Sequence, residues 1–149
     1  MNAGHRPGLA LVAVLWLSVT PHAHAADPGG DTSPEVVFEW NKLLQDSAPA
    51  ALGPMQFRVY AILNVAIFDA ANSIERDYGR FHTSVPASSG ASVQAAVAQA
   101  AHDVLAGLIP GSKAAYDAAL AARLATIPPG RRQQGVAGGA AVPVRVLQR

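Results

Sequence analysis

A long apolar stretch between Pro54 and Arg76 constrains the fold of this 149-residue chain more than any other feature. Projected on a helix, apolar side chains cover one broad side and much of the opposite side, where Phe57, Ala61 and Phe68 lie. A helix that is apolar on nearly every side is typical of the buried centre of a bundle. Charged and amide side chains interrupt the stretch, which argues against a membrane span. We therefore predict an all-α fold with this helix at its centre.

Helix-breaking and capping residues divide the remaining chain into further helices. Thr32 and Glu35 have the spacing of a capping box, with Pro34 in the first turn, so a first helix is expected from here to about residue 47. A third helix is expected from Ser92 until the break at 110–111.

The C-terminal third shows two more helical segments. Ser112 is expected to cap a fourth helix, which ends before the break at 128–130. A last segment from Arg131 has helical character, but Gly138, Gly139 and Pro143 are expected to damage it. The prediction is an incomplete bundle of four to five helices without strands.

The first 25 residues have the pattern of a secretory signal peptide. Arg6 precedes an apolar run over residues 9–19, and small residues at Ala23 and Ala25 suit a signal peptidase. That run is too short to span a bilayer, which needs about 20 residues. We predict a signal peptide over 1–25, a linker over 26–32, a helical region over 33–149, and a periplasmic or secreted location.

Composition excludes several classes of function. The formal net charge is +1, and it becomes zero when Arg6 leaves with the signal, so nothing favours nucleic-acid binding. No membrane span is expected after signal cleavage. The chain has no cysteine, so an exported form must be held together by packing without disulfides.

Asp69 and Asn72 are the first candidate site residues, because their spacing makes them neighbours on one helix face. They suit a polar ligand or a metal ion. Alternatively, they bind the following loop or pair with Arg58 or Arg76, since buried polar groups need hydrogen-bond partners. A hard metal ion needs several oxygen ligands, and two are visible.

His102 and Asp103 are the second candidate, as a histidine beside a carboxylate suggests an acid–base pair. Adjacent residues on a helix do not face one another, which instead favours a packed or surface histidine. His82 has no companion, and no histidine cluster has zinc-site spacing. The basic pair Arg131-Arg132 suits a phosphate group or a solvated helix start. Nucleophile-elbow and phosphate-loop motifs are missing, so no residue is assigned as catalytic, cofactor-binding or metal-binding.

Several sequence blocks occur in an order that resembles a known family. The blocks are Val36–Asn41, Ala61–Ile74 with Tyr78, Gln94–Leu105, and Tyr116–Leu120 with Ile127, Pro128 and Gly130. Together they resemble the N-terminal helical region of bacterial vanadium-dependent haloperoxidase-like proteins, in the superfamily of type-2 phosphatidic acid phosphatases. One departure is Asn64, where relatives often carry histidine.

The resemblance implies an enzyme that oxidises halide with peroxide or hydrolyses a phosphate ester, with vanadate as the cofactor of full-length relatives. The motifs that hold the oxyanion there are a Lys…Arg-Pro block, Pro-Ser-Gly-His and Ser-Arg-x-x-x-Gly-x-His. The Arg-Pro of this sequence is Arg6-Pro7 in the predicted signal, and the other two motifs do not occur. We therefore expect no cofactor in this chain and an N-terminal scaffold fragment that is inactive alone and needs a C-terminal catalytic bundle. The alternative is a non-enzymatic, exported helical protein that binds a partner through its apolar faces.

Overall fold

A computed structural model of the chain describes residues 33–79, 81–82, 86, 88 and 90–147, with side chains up to residue 143. The predicted signal peptide over 1–25, its cleavage site and the linker over 26–32 lie outside the described residues. Within the described ranges, none of the helices combines the length and the apolar character that a bilayer crossing requires.

The described residues form five α-helices and no strand, which confirms the predicted all-α class. The helices are α1 (Glu35–Ser47), α2 (Met55–Glu75), α3 (Val93–Leu108), α4 (Lys113–Ala125) and α5 (Pro129–Leu147). Short 3-10 turns at Ala50–Leu52 and Pro110–Ser112 lead into α2 and α4.

The centre of the bundle is α3, so the prediction of a central α2 is wrong. All four other helices pack against α3. Its buried positions carry mainly small side chains, namely Ala95, Ala96, Val97, Ala98, Ala100, Ala101, Val104 and Leu105. Small side chains on several sides let neighbouring helices approach closely from different directions, whereas the bulky Phe57 of α2 is 79% exposed.

The last helix is continuous from Pro129 to Leu147, so the predicted damage is wrong. Its glycines form the contact with α3: a Cβ atom at Gly135 would lie 2.5 Å from the Ser92 carbonyl oxygen and 2.7 Å from the Ala95 Cβ. At Gly139 a Cβ would lie 2.9 Å from both the Ala96 Cα and the Gln99 Cβ. Packing against α3 therefore offsets the low helix propensity of glycine and the hydrogen bond that Pro143 cannot donate.

The predicted helix starts are confirmed in part. The Ser92 hydroxyl caps α3 by accepting from the Ala95 N–H at 3.2 Å. At α1, Pro34 directly precedes the helix and the Ser33 hydroxyl accepts from the Glu35 N–H at 3.3 Å, while Thr32 lies outside the described residues. Ser112 precedes α4 but does not cap it, because its hydroxyl donates to the Ser47 carbonyl at 3.1 Å.

The first helix is anchored through one buried side. Val36, Trp40 and Leu44 are four residues apart and at most 3% exposed. At the end of α1, the hydroxyls of Ser47 and the fully buried Tyr116 of α4 form a hydrogen bond of 2.9 Å. The opposite side of α1 stays outside the core, where Phe38 is 69% exposed.

Candidate functional site

Asp69 and Asn72 lie together on α2 and hold the segment that follows the helix. The Asn72 side-chain amide donates to the Tyr78 carbonyl at 2.9 Å and accepts from the Tyr78 N–H at 3.0 Å. The His82 N–H donates to the Asp69 carboxylate at 3.4 Å. Both side chains are buried, and the interpretation that they bind the following loop is confirmed. Within the described residues, no three or more potential metal-ligating side chains come together.

His102 lies between two carboxylates rather than alone. Its Nδ1 is 2.7 Å from an Asp103 oxygen and its Nε2 is 2.7 Å from an Asp117 oxygen on α4. The expectation that His102 and Asp103 do not face each other is wrong, because both side chains reach far enough from adjacent Cβ positions to meet. Lys113 also donates to Asp117, at 2.6 and 2.8 Å. The cluster therefore links α3 to α4.

The electrostatics of this cluster suit a structural link better than proton transfer. The Lys113 ammonium, and then the His102 ring, hold the pKa of Asp117 below its ordinary value of 3.8. Both nitrogens of the His102 ring contact carboxylates, so neither is directed at a substrate. The histidine side chain is 12% exposed, which agrees with the predicted packed histidine.

Four exposed aromatic side chains lie on α1, on α2 and in the segment just after α2. They are Phe38, Phe57, Phe68 and Tyr78, which are 69%, 79%, 36% and 66% exposed. Phe68 lies eleven positions after Phe57, which is close to three helical turns, so the two rings project from the same side of α2. The rings of Phe68 and Tyr78 lie 6.1 Å apart, within the range of aromatic pairing. We name these four residues the aromatic surface.

A pair of amide side chains joins the two helices at this surface. The Asn64 amide donates to the Asn41 oxygen at 2.9 Å, and the Asn41 amide donates to the Asn64 oxygen at 3.2 Å. Each amide also bonds a carbonyl of its own helix, those of Val37 and Tyr60, at 2.9 Å. The sequence analysis did not predict this pair, since a contact between two helices leaves no spacing signal within either one.

Two grooves flank α1. One, of about 370 Å³, runs between α1, α2 and α3, with Val36, Ile67 and Val97 among its lining residues and Phe68 at the aromatic surface. The other, of about 480 Å³, lies between α1 and α4 and includes Trp40. Its wall contains the ion pair between Glu39 and Arg123. Both grooves are adjacent to helix α1, which covers little of α2.

Three cationic side chains of the described residues are already matched by carboxylates. An oxyanion with several negative charges needs several converging cations or N–H donors. Here Lys42 pairs with Asp46 at 2.8 Å, Lys113 pairs with Asp117, and Arg123 pairs with Glu39. These three cations lie on α1 and α4, and each is matched by a carboxylate, so they offer no free positive charge to vanadate.

Comparison with known proteins identifies no relative of this chain. The chain matches no protein-family model, no curated protein and no solved structure. The resemblance to haloperoxidase-like and phosphatase proteins therefore stays a prediction.

Proposed function

We propose that the five described helices are a scaffold module that packs against a further helical unit through the aromatic surface. The observation that carries this proposal is the exposure of four large aromatic side chains on α1, on α2 and just after α2, from 36% to 79%. Exposed apolar patches of this kind mark interaction sites, and aromatic residues are enriched in the centres of interfaces.

The arrangement of the aromatic surface supports a specific interface. A fully exposed aromatic side chain can bury about 150–250 Å², and 36% to 79% of each ring residue remains to be covered here, so the four together provide part of one partner's share of a standard interface. The Asn41–Asn64 pair supplies directional polar groups beside the rings. A covering unit would also explain why α2 is apolar on a second side that the bundle itself leaves open.

The sequence resemblance suggests what the covering unit is. It would be the catalytic helical bundle of an exported vanadium-dependent haloperoxidase-like or acid-phosphatase-like enzyme. In that assembly the present helices would supply no catalytic residue and no vanadate ligand, while the other bundle would supply the cationic cradle. Secretion or periplasmic location is part of the same proposal.

The alternative function is that of a non-enzymatic, exported binding protein that uses the same surface for a separate partner. The Asn41–Asn64 pair favours this alternative, because exposed amides suit a surface that is in contact with water whenever the partner is not bound. The two proposals share a surface and differ in the partner.

Sequencing the DNA beyond the Arg149 codon tests them. If that DNA encodes Pro-Ser-Gly-His and Ser-Arg-x-x-x-Gly-x-His, the encoded protein segment would then be produced together with this chain. We expect a complex that turns over bromide and peroxide with vanadate, or a phosphate ester, while the purified chain alone turns over neither. Phe57→Ser should weaken the complex about tenfold or more, whereas Phe57→Leu, which keeps the apolar character, should weaken it much less.

Three results would decide against this scheme. Turnover by the purified chain alone would contradict the scaffold assignment. Equal effects of Phe57→Ser and Phe57→Leu would show that the aromatic surface is not the interface. Genomic sequence without those motifs would favour the binding-protein alternative.

A further inference from the structure

A separate cleft of about 290 Å³ lies where the N-terminal ends of α3 and α5 meet the C-terminal end of α4. Its polar lining includes Ser92, Gln94, Arg123 and Arg131. The Ser92 N–H donates to the Arg131 carbonyl at 3.1 Å, which ties the two helix starts together. Since Gly135 and Gly139 contact successive turns of α3 in the same order, α3 and α5 run parallel and both begin at this cleft.

Gln94 is a polar residue at the edge of this cleft that is almost fully buried. The residue is 4% exposed and makes no hydrogen bond through its side chain within the part of the chain that the structure describes. It lines this cleft and also borders the groove between α1, α2 and α3. None of the buried side-chain nitrogen or oxygen atoms in the described residues lacks a hydrogen-bond partner, so the Gln94 amide atoms keep some contact with solvent and are accessible to a ligand in the cleft.

The charge of the cleft matches a single negative charge. Arg123 is already paired with Glu39, whereas Arg131 meets no carboxylate within the described residues. Each helix start adds a partial positive charge of about 0.5, and the end of α4 offsets one of them. A phosphate dianion would be incompletely neutralised here, while one carboxylate matches one free guanidinium in charge and in its paired donor geometry.

The remaining wall is apolar. Ile127, which is 8% exposed, and Pro128 line the cleft beside the arginine side chains. Small-molecule sites combine such apolar walls with a few polar groups that fix the orientation of the ligand.

We propose that this cleft binds a small monocarboxylate with a short apolar body. The carboxylate accepts hydrogen bonds from the Arg131 guanidinium and the Gln94 amide, and the apolar body packs against Ile127. This site is independent of the aromatic surface, so the failure of either proposal leaves the other standing.

Titration of the purified chain with isobutyrate, followed by amide NMR, tests the proposal. We expect saturable shifts at Gln94, Gly130 and Arg131. Isobutyramide has nearly the same shape without the charge and should bind at least about tenfold more weakly, because charged hydrogen bonds are stronger than neutral ones. Phosphate should also bind more weakly than isobutyrate.

A matched pair of variants separates the site from general charge effects. Arg131→Gln should weaken isobutyrate binding about tenfold or more. Arg132→Gln removes the same charge from the neighbouring position, where the guanidinium donates to the Leu124 carbonyl at 3.1 Å outside the cleft lining, and should weaken binding much less. Gln94→Leu should weaken binding while the dispersion of the spectrum shows an intact fold.

The proposal is overturned if isobutyrate causes no saturable shifts at the cleft, or if both arginine variants weaken binding equally. If isobutyramide binds as tightly as isobutyrate, the negative charge of the ligand does not contribute to binding, and the proposed carboxylate site is wrong. Tighter binding of phosphate would reassign the cleft to a multiply charged anion.

Discussion

The contact between α3 and α5 and the contact between α1 and α2 show two different uses of apolar residues. Along α5, glycines let the helix backbone approach the alanines of α3, and both surfaces are buried. Along α1 and α2, large aromatic rings project away from the core, and an amide pair bridges the two helices. Hydrophobicity alone therefore does not decide burial: side-chain size decides how closely two helices can approach.

The sharpest test of this comparison is the substitution Gly139→Val. The new side chain would meet the Ala96 backbone and the Gln99 Cβ, which cannot move without separating α3 from α5. We expect a loss of about 3 kcal/mol or more in the free energy of unfolding, measured by urea denaturation. Gly130→Ala is the control, because a Cβ there meets nothing within 4 Å, and it should leave stability unchanged or slightly increased. A neutral Gly139→Val would disprove the close contact.

The polar side of α2 is expected to contribute the next largest effect. Asn72→Ala removes both hydrogen bonds to Tyr78 and leaves the loop after α2 without this anchor. The free energy of unfolding should fall by about 2 kcal/mol, and amide hydrogen exchange at Tyr78 should accelerate. Unchanged exchange at Tyr78 would show that Asn72 does not hold the loop.

The aromatic surface should contribute little to the stability of the isolated chain. Phe57→Ser removes a ring that is 79% exposed, so the free energy of unfolding should change by no more than about 0.5 kcal/mol. Leu63→Ala, at a fully buried position on the same helix, should cost about 2–5 kcal/mol in the same measurement. Similar losses for the two variants would mean that Phe57 is part of the core.

The smallest expected effect is the pH dependence of the link between α3 and α4. The pKa of Asp117 is lower in the folded chain than its ordinary value of 3.8, so its contribution to stability is present above pH 3.8 and is lost as the pH falls through the folded-state pKa. Asp117→Asn should flatten the acid limb of the unfolding free energy plotted against pH.

The matched control for this measurement is Asp46→Asn, in the Lys42–Asp46 pair that has the same spacing but lies on α1, away from His102. Because Asp117 is exposed, the difference between the two variants should be small. If the unfolding free energy falls with acid in the same way in the wild type and in Asp117→Asn, Asp117 and the His102 cluster do not contribute to the pH dependence of stability.

Much of the secondary structure follows from local chemistry, and the candidate site does not. Pro110 and Gly111 follow the end of α3, and Pro128 and Pro129 separate α4 from α5, because proline lacks the N–H that continues a helix, so most helix positions are readable from the chain. The loop-binding role of Asn72 was also among the expected alternatives. The contacts of Asn41 with Asn64, and of His102 with Asp117, join residues 23 and 15 positions apart, and no helical period predicts them.

The sequence by itself therefore determined the all-α class, most helix boundaries and the polar side of α2, since propensity and periodicity act over a few neighbouring residues. The tertiary structure decided which helix is central, which aromatic rings stay exposed and which polar groups line the cleft beside Arg131. Gly138 and Gly139 illustrate the difference. As local signals they weaken a helix, but against the alanines of α3 the lack of a side chain at Gly139 is what allows the two backbones to pack.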